Sequence, residues 1–376
     1  MKLPYVIRTV LLLSILFTAI ASKAQQNDDL INILQKKKII NQQEADSLRA
    51  DQAVKEQAAK DKENQHGITI GSRALQLSGL VQTEYEGFQQ STVNNTFLLH
   101  RARLDVKGDI NDNWNYEVYT EFAGTVKLLD AYTTYKIADY LKFSAGQFKI
   151  PFSLENLIAD SQLDFIDRSQ VVNALAARST DVIGNQNGRD IGIQINGSFA
   201  KIDNRYLFDY TLGLFNGAGY DVTTDNNNHK DLSGRLTVHP VQNLDVSGDF
   251  YNGVGNYGTP AKNEKRDREG LDARYVIGPV AIQAEYDKGT DGIIKRDGWY
   301  GQATYFVVPQ KLQLAAKYDT YDPNEITANV RTNDYTGGVN YFFNKWARFT
   351  INYVDRREEV TQIKNNIFEA QLQLTF

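Results

Sequence analysis

From Leu75 onward the chain repeats one unit, a run of about ten residues with alternating apolar and polar positions, then a break. Alternation of period two sends successive side chains to opposite faces of a strand. The first unit sets Leu75, Leu77, Val81 and Tyr85 on one face and Gln76, Gln82, Glu84 and Glu86 on the other. The second sets Leu98, Ala102, Leu104 and Val106 against Arg101, Arg103, Asp105 and Lys107. Later units centre near residues 119, 132, 145, 194, 210, 235, 248, 273, 284, 303, 315, 338, 350 and 370, which makes sixteen strands.

The breaks alternate in length. Short ones fall at Asn111-Asp112, Ala138-Asp139, Ile202-Asp203, Pro240-Val241, Gly278-Pro279, Pro309-Gln310 and Asn344-Lys345. Those between are mostly long and polar, near 87–95, 151–188, 216–229, 253–267, 288–296, 320–333 and 355–363, and only 124–127 is brief. A soluble sandwich also alternates, but short turns at one end and long loops at the other mark a membrane barrel. The expected fold is all-β, a 16-stranded antiparallel transmembrane β-barrel over 67–376. Charges in mid-strand, such as Arg103, Glu121, Arg235, Asp272 and Glu285, then face a wet lumen, and Trp114, Trp346 and Trp299 sit in the aromatic girdles. The last strand turns Phe368, Ala370, Leu372, Leu374 and Phe376 outward and Glu369, Gln371 and Gln373 inward. A barrel of sixteen strands is wide enough for an aqueous channel.

The first residues have another texture. Lys2 and Arg8 precede an apolar run from Val10 to Ile20, and Ser22-Lys23-Ala24 offers a cleavage site, so 1–24 reads as a signal peptide. Residues 25–66 read as a helical periplasmic spacer: Asp28 and Asp29 cap a turn bearing Leu30, Ile33 and Leu34, and Asn41-Gln42-Gln43-Glu44 resembles a capping box. A polar tether follows over 49–66.

Composition removes whole classes of function. Cys is absent, which excludes disulfides, thiolate metal sites and Cys nucleophiles. The net charge of −5 falls to −8 without the leader's Lys2, Arg8 and Lys23, so nucleic acid is not an expected partner. Four histidines, at 66, 100, 229 and 239, are too scattered for a ligand cluster or a Ser–His–acid site, and His100 is expected to face lipid or a subunit interface. No cofactor is expected. Asp319, Asp322, Asn324 and Glu325 share one outer break and could collect Ca²⁺, or could be solvated loop acids. Asp225-Asn226-Asn227-Asn228 reads as turn chemistry.

Several stretches resemble the phosphate-selective porin O and P family in its Bacteroidetes form. They are His100-Arg101-Ala102-Arg103-Leu104-Asp105-Val106-Lys107-Gly108, Leu128-Leu129-Asp130-Ala131-Tyr132 and Gly146-Gln147-Phe148-Lys149-Ile150-Pro151-Phe152-Ser153-Leu154-Glu155. Asp167-Arg168-Ser169 and Lys230-Asp231-Leu232-Ser233-Gly234-Arg235 match as well. The resemblance implies a homotrimeric outer-membrane channel narrowed by its third loop and favouring anions such as phosphate. It also makes terminal Phe376 the signal read by the outer-membrane assembly machinery. The chain departs from strongly anion-selective members in one respect: loop 151–188 carries Glu155, Asp160, Asp164, Asp167 and Asp181 against Arg168 and Arg178, a balance of −3.

Pore-lining cations are expected at Arg101, Arg103, Lys107, Lys149, Arg168 and Arg235. Arg101 and Arg103 either guide anions by paired hydrogen bonds or pair with Glu117, Glu121 or Asp130 and stiffen the wall. Lys149 follows a strand of uncertain parity, which a bulge would resolve. Leu157, Leu163, Phe165, Ile166, Val171 and Leu175 need cover that an outward loop lacks, so loop 151–188 is expected to fold into the lumen. A non-conducting structural or adhesin-type barrel is the alternative to a pore.

Overall fold

The computed structural model describes Lys37, residues 67–70, 73–202, 205–222 and 224–376. The expected leader, helical spacer and tether lie outside the described residues. A short strand, β1 (Gly67–Ile70), pairs with the start of β2 (Arg73–Phe88). The wall continues through β3 (Thr96–Asp109), β4 (Trp114–Glu121), β5 (Lys127–Ala138), β6 (Leu141–Lys149), β7 (Arg189–Ile202), β8 (Arg205–Phe215) and β9 (Asp231–Val238). It is completed by β10 (Leu244–Tyr257), β11 (Lys262–Ile277), β12 (Val280–Asp291), β13 (Ile294–Val308), β14 (Leu312–Asp322), β15 (Thr332–Phe342), β16 (Ala347–Glu358) and β17 (Ile367–Thr375). Each strand from β2 to β17 pairs antiparallel with the next, and β17 pairs with β2, closing the sixteen-stranded barrel expected from the alternation.

The two faces divide as lipid and lumen require. Phe368, Leu372 and Leu374 are exposed on the outer wall, while Glu369, Gln371 and Gln373 are buried on the inner one. Trp114, Trp299 and Trp346 all point outward, and Trp299, Tyr318 and Tyr335 pack as tilted rings with centroids 5.0 and 5.1 Å apart. The seam is tight. Gly79 and Phe376 exchange both backbone hydrogen bonds, at 2.8 and 3.1 Å, and a Cβ at Gly79 would lie 2.2 Å from the terminal ring.

Four expectations need correction. The breaks at 253–267 and 288–296 are largely strand: β10 and β11 run on to a four-residue turn, and β12 and β13 meet at Gly292-Ile293. Charged alternation such as Lys265, Asp267 and Glu269 looks like loop but still satisfies a ladder in water. Asp319 is therefore a wall residue of β14, buried and accepting from the Gln170 amide at 2.7 Å; it is not part of an outer-loop Ca²⁺ set. Asp322 instead pairs with Arg331 at 3.3 Å. On β3 the register shifts opposite Gln82 and Thr83, a bulge that takes up His100. Phe97 (79% exposed) and Leu99 (51%) are therefore the lipid-facing residues, Leu98 shares the inner face with Glu84, and His100 bonds Glu84 instead of facing lipid. The fourth correction concerns the inward charges: they do face inward, but Arg103, Glu121, Asp272 and Glu285 are largely covered by other protein groups, and Arg103 and Glu121 keep only a small surface on a cavity.

Residues 225–228 do form a turn, with the Asn227 amide donating to Asp225 Oδ1 at 3.0 Å. At the short-turn end, His239 follows β9 and bonds Asp245 through Nδ1 (2.6 Å) and Asp209 through Nε2 (3.0 Å), which requires both ring nitrogens protonated. Burial opposes its charge, but the two carboxylates outweigh burial and raise its pKa. Below the ordinary histidine value of about 6.5 the bridge contributes in full, and that stability is lost as pH rises through the raised value. The urea midpoint is expected to fall between pH 6 and pH 9 by more in the parent than in His239→Gln. Equal falls would remove the bridge from the stability of this end.

Candidate functional site

The long connection between β6 and β7 carries three short helical turns: α1 (Leu154–Leu157), a 3₁₀ turn at Asp160–Gln162, and α2 (Gln170–Leu175). Ser153 caps α1, accepting from the Asn156 amide at 3.1 Å, and the amides of Leu154 and Glu155 donate to Glu285 of β12 at 2.9 and 3.0 Å. Val171, Val172 and Leu175 of α2 are buried with Phe148, Phe152, Phe215, Tyr251 and Tyr300 of the surrounding segments. Leu163, Phe165 and Ile166 are buried too.

Inward side chains grip this connection from many strands. Arg266 of β11 holds Asp181 at 3.1 and 2.8 Å, and Arg268 donates to Leu175 O at 3.1 Å. Arg348 of β16 donates to Leu163 O at 2.7 Å, Lys317 of β14 to Asp167 O at 3.0 Å and Gln373 of β17 to Ser161 O at 3.1 Å. Burial acts to raise the Asp181 carboxyl, but Arg266 and Arg268 hold it below the usual carboxylate range.

Three of the expected cations meet at one carboxylate. Asp160 accepts from Arg103 and from Arg168, and Arg101 stands 3.5 Å away. Arg103 also donates to Glu121 at 2.6 Å, so wall pairing and convergence on the connection occur together, while Glu117 and Asp130 take other partners, Tyr132 and Arg189. Arg101 donates to Gln82 at 2.7 Å. Burial would raise the Asp160 carboxyl; Arg168, Arg101 and Arg103 outweigh it and hold the group well below its ordinary value.

Lys149 is drawn to the same region. Gly146, at φ 137, turns the end of β6 with no bulge against β7, and the Lys149 ammonium donates to Leu157 O (3.2 Å) and Ile158 O (2.9 Å). The other two expected cations stand apart: Arg235 is held by Asp249 and by Asp272 at 2.7 Å, and Lys107 lies half exposed near the short-turn end, 3.5 Å from Asp105.

Arg178, not singled out by alternation because it sits in the connection, completes the group. It donates to Asn156 Oδ1 at 2.8 Å and, among the described residues, pairs with no carboxylate. Burial first, then Arg168, Arg189 and Arg101, press against its charge and push its pKa well down. A cavity of about 300 Å³ opens here, lined by Arg101, Arg103, Lys127, Arg168 and Arg178 against Glu121 and Asp167, with His100 at its edge. Toward the short-turn end lie two further cavities: one of about 420 Å³, lined by Tyr119, Asp130, Lys149, Asp160 and Arg189, and one of about 650 Å³ beneath β11–β16. Among the described residues no group of three or more His, Asp or Glu side chains is placed to hold a metal ion.

Residues 76–376 match the family described as phosphate-selective porin O and P. The chain belongs to that family. This porin is accordingly an outer-membrane β-barrel protein, and its fold is shared by solved barrels of low sequence identity. Outer-membrane expressed OmpT of Vibrio cholerae is 18% identical, with a TM-score of 0.57 over 83% of this chain and 100% of that one. OmpF of Salmonella typhi, in complex with daunomycin, is 12% identical, with a TM-score of 0.58 over 82% and 100%. OprB of Pseudomonas putida is 10% identical, with a TM-score of 0.60 over 81% and 94%. No curated protein matches this porin.

Proposed function

We propose that this porin gives passive passage to small anions, phosphate among them, through a lumen narrowed by connection 151–188 folded inside it. The observation that carries the reading is the cluster around Asp160. Five cations against two carboxylates line one 300 Å³ cavity, and the buried Arg178 pairs with no acid among the described residues. Guanidinium groups bind phosphate and chloride through charge-assisted hydrogen bonds, and in a narrow, protein-walled passage their field is less screened than in bulk water. Asp160 lowers that field without cancelling it. The inward fold of the connection is supported by its bonds to inner-face residues of β3, β11, β12, β14, β16 and β17.

Transport is preferred to catalysis because, among the described residues, His100 bonds Glu84 and Gln371, His239 bonds two aspartates, and neither bonds a serine. A homotrimer is proposed from the family and from OmpT of Vibrio cholerae, solved in a trimer form. Residues 1–24 are proposed as the export signal, 25–66 as a periplasmic spacer and Phe376 as the assembly signal. The deciding measurement is the reversal potential of the full-length protein in a planar bilayer under a KCl gradient. Its sign is expected to report chloride over potassium; a cation-side potential refutes the anion reading, and a barrel that passes no current refutes the pore.

A further inference from the structure

The cavity of about 650 Å³ has a lining that a small inorganic anion does not call for. Lumen-facing positions of a porin are ordinarily polar, yet Phe306 of β13 and Phe342 of β15 both stand on the inner face. Their registers show it: Phe306 lies opposite Gln313 and Phe342 opposite Arg348, both buried inward residues. The two rings are 5.7 Å apart and only partly covered. Ile158 and Leu163 of the connection and Val276 of β11 extend the apolar surface.

Two guanidiniums border it. Arg348 lies 5.9 Å from the Phe342 ring centre and is committed to Leu163 O and Gln373, but its Nε is buried and has no hydrogen-bond partner among the described residues. Arg274 of β11 lines the same cavity, is exposed, and among the described residues makes no hydrogen bond or ion pair. The neighbouring acids are hydrogen-bonded to other groups, although Asp245 lies opposite Arg274 in register and Asp164 feels the Arg274 charge. Asp164 accepts from Gln302 and Gln313 at 3.2 Å, Asp245 from His239 at 2.6 Å, and Glu155 from the Ser169 amide at 2.7 Å.

We propose that this cavity is a transit site for aromatic carboxylates, the ring lying against Phe306 and Phe342 and the carboxylate on Arg274. This rests on the porin reading and names a class of solute for it. An aromatic pair attracts a further ring through offset or edge contacts, and an unpaired guanidinium takes a carboxylate in a two-point fork. The volume suits a benzoate-sized guest with its water. Phosphate or acetate would use the arginine alone.

Benzoate and acetate added on the short-turn side of single channels give the test, with saturation-transfer NMR of benzoate on the porin in lipid nanodiscs as a second readout. Benzoate is expected to interrupt the current at about ten-fold lower concentration than acetate, and Arg274→Gln and the volume-conserving Phe342→Leu are each expected to remove most of that advantage. The NMR transfer should fall in the same variants, against the same lipid background. Equal block by the two acids, or benzoate affinity untouched by Arg274→Gln, overturns the site while leaving the pore intact. If the barrel conducts nothing, the porin reading fails, and the NMR arm alone then decides the site: transfer lost in Arg274→Gln supports it, and no transfer in the parent overturns it.

Discussion

An Asp160→Asn porin is expected to be much less stable than its parent and to pass a larger, noisier current. The Asp160 carboxylate is the common partner of Arg103 and Arg168, with Arg101 3.5 Å off, and all four groups are largely shielded from water. Asn keeps the shape and removes the charge. Three guanidiniums then repel one another in a poorly screened site, and breaking a buried ion pair from one side costs about 3–5 kcal/mol. Arg168 retains its bonds to Glu155 O (3.0 Å) and Ile158 O (2.9 Å), so the connection loosens locally instead of leaving the barrel. Urea midpoint, protease cleavage between residues 158 and 168, and unit conductance read this out together. Asp164→Asn is the control. Burial pushes the Asp164 carboxyl up, against the pull of Gln313 and Arg348, and its hydrogen-bond partners Gln302 and Gln313 are neutral amides, so Asn there should change little. Matching behaviour in the two variants would mean that the arginine convergence contributes no more than an amide network does.

The second large effect is on selectivity. Arg101→Gln combined with Arg178→Gln removes two positive charges from the 300 Å³ cavity and leaves Arg103, Arg168 and Asp160 to hold the connection. A unit charge about 6 Å from a passing ion, at an effective dielectric near 40, is worth roughly 1.4 kcal/mol, or about ten-fold in relative permeability. The chloride-to-potassium ratio is expected to fall by about that factor or more, with reversal potential moving to the cation side. An unchanged potential, with barrels still closed and folded, would put the filter elsewhere, the next cationic candidates being Lys149 and Arg189.

The wall was legible because its physics is one-dimensional. A strand between lipid and lumen must alternate, and all sixteen segments do so over most of their length. Legibility ended where one residue is added or where chemistry depends on what meets in space. The bulge at His100 leaves no mark in composition, yet it carries Phe97 and Leu99 to the lipid and His100 to Glu84. Strand ends above the hydrocarbon lose their apolar half, so Asp319 and the 288–296 stretch read as loop while the ladder continues. The need to cover Val171, Phe165 and Leu175 could be read from their apolarity. That Asp160 would gather arginines from β3 and from eight residues downstream could not, because the loop's −3 balance says nothing of which acid meets which base. Arg178, Arg266 and Arg268 matter for the same reason, and no periodicity singles them out.

The seam at Gly79 fits one register of closure. A barrel that shut one residue out of step would turn Glu369, Gln371 and Gln373 to the lipid and Phe368, Leu372 and Leu374 to the lumen. The error could be sensed only where the first and last barrel strands meet. At Gly79 the wall offers a notch that only a residue without a side chain leaves, and the ring of the final residue fills it when the two backbones are in step. A closure out of step by one residue would leave this notch open to the bilayer and the Phe376 ring without its seat.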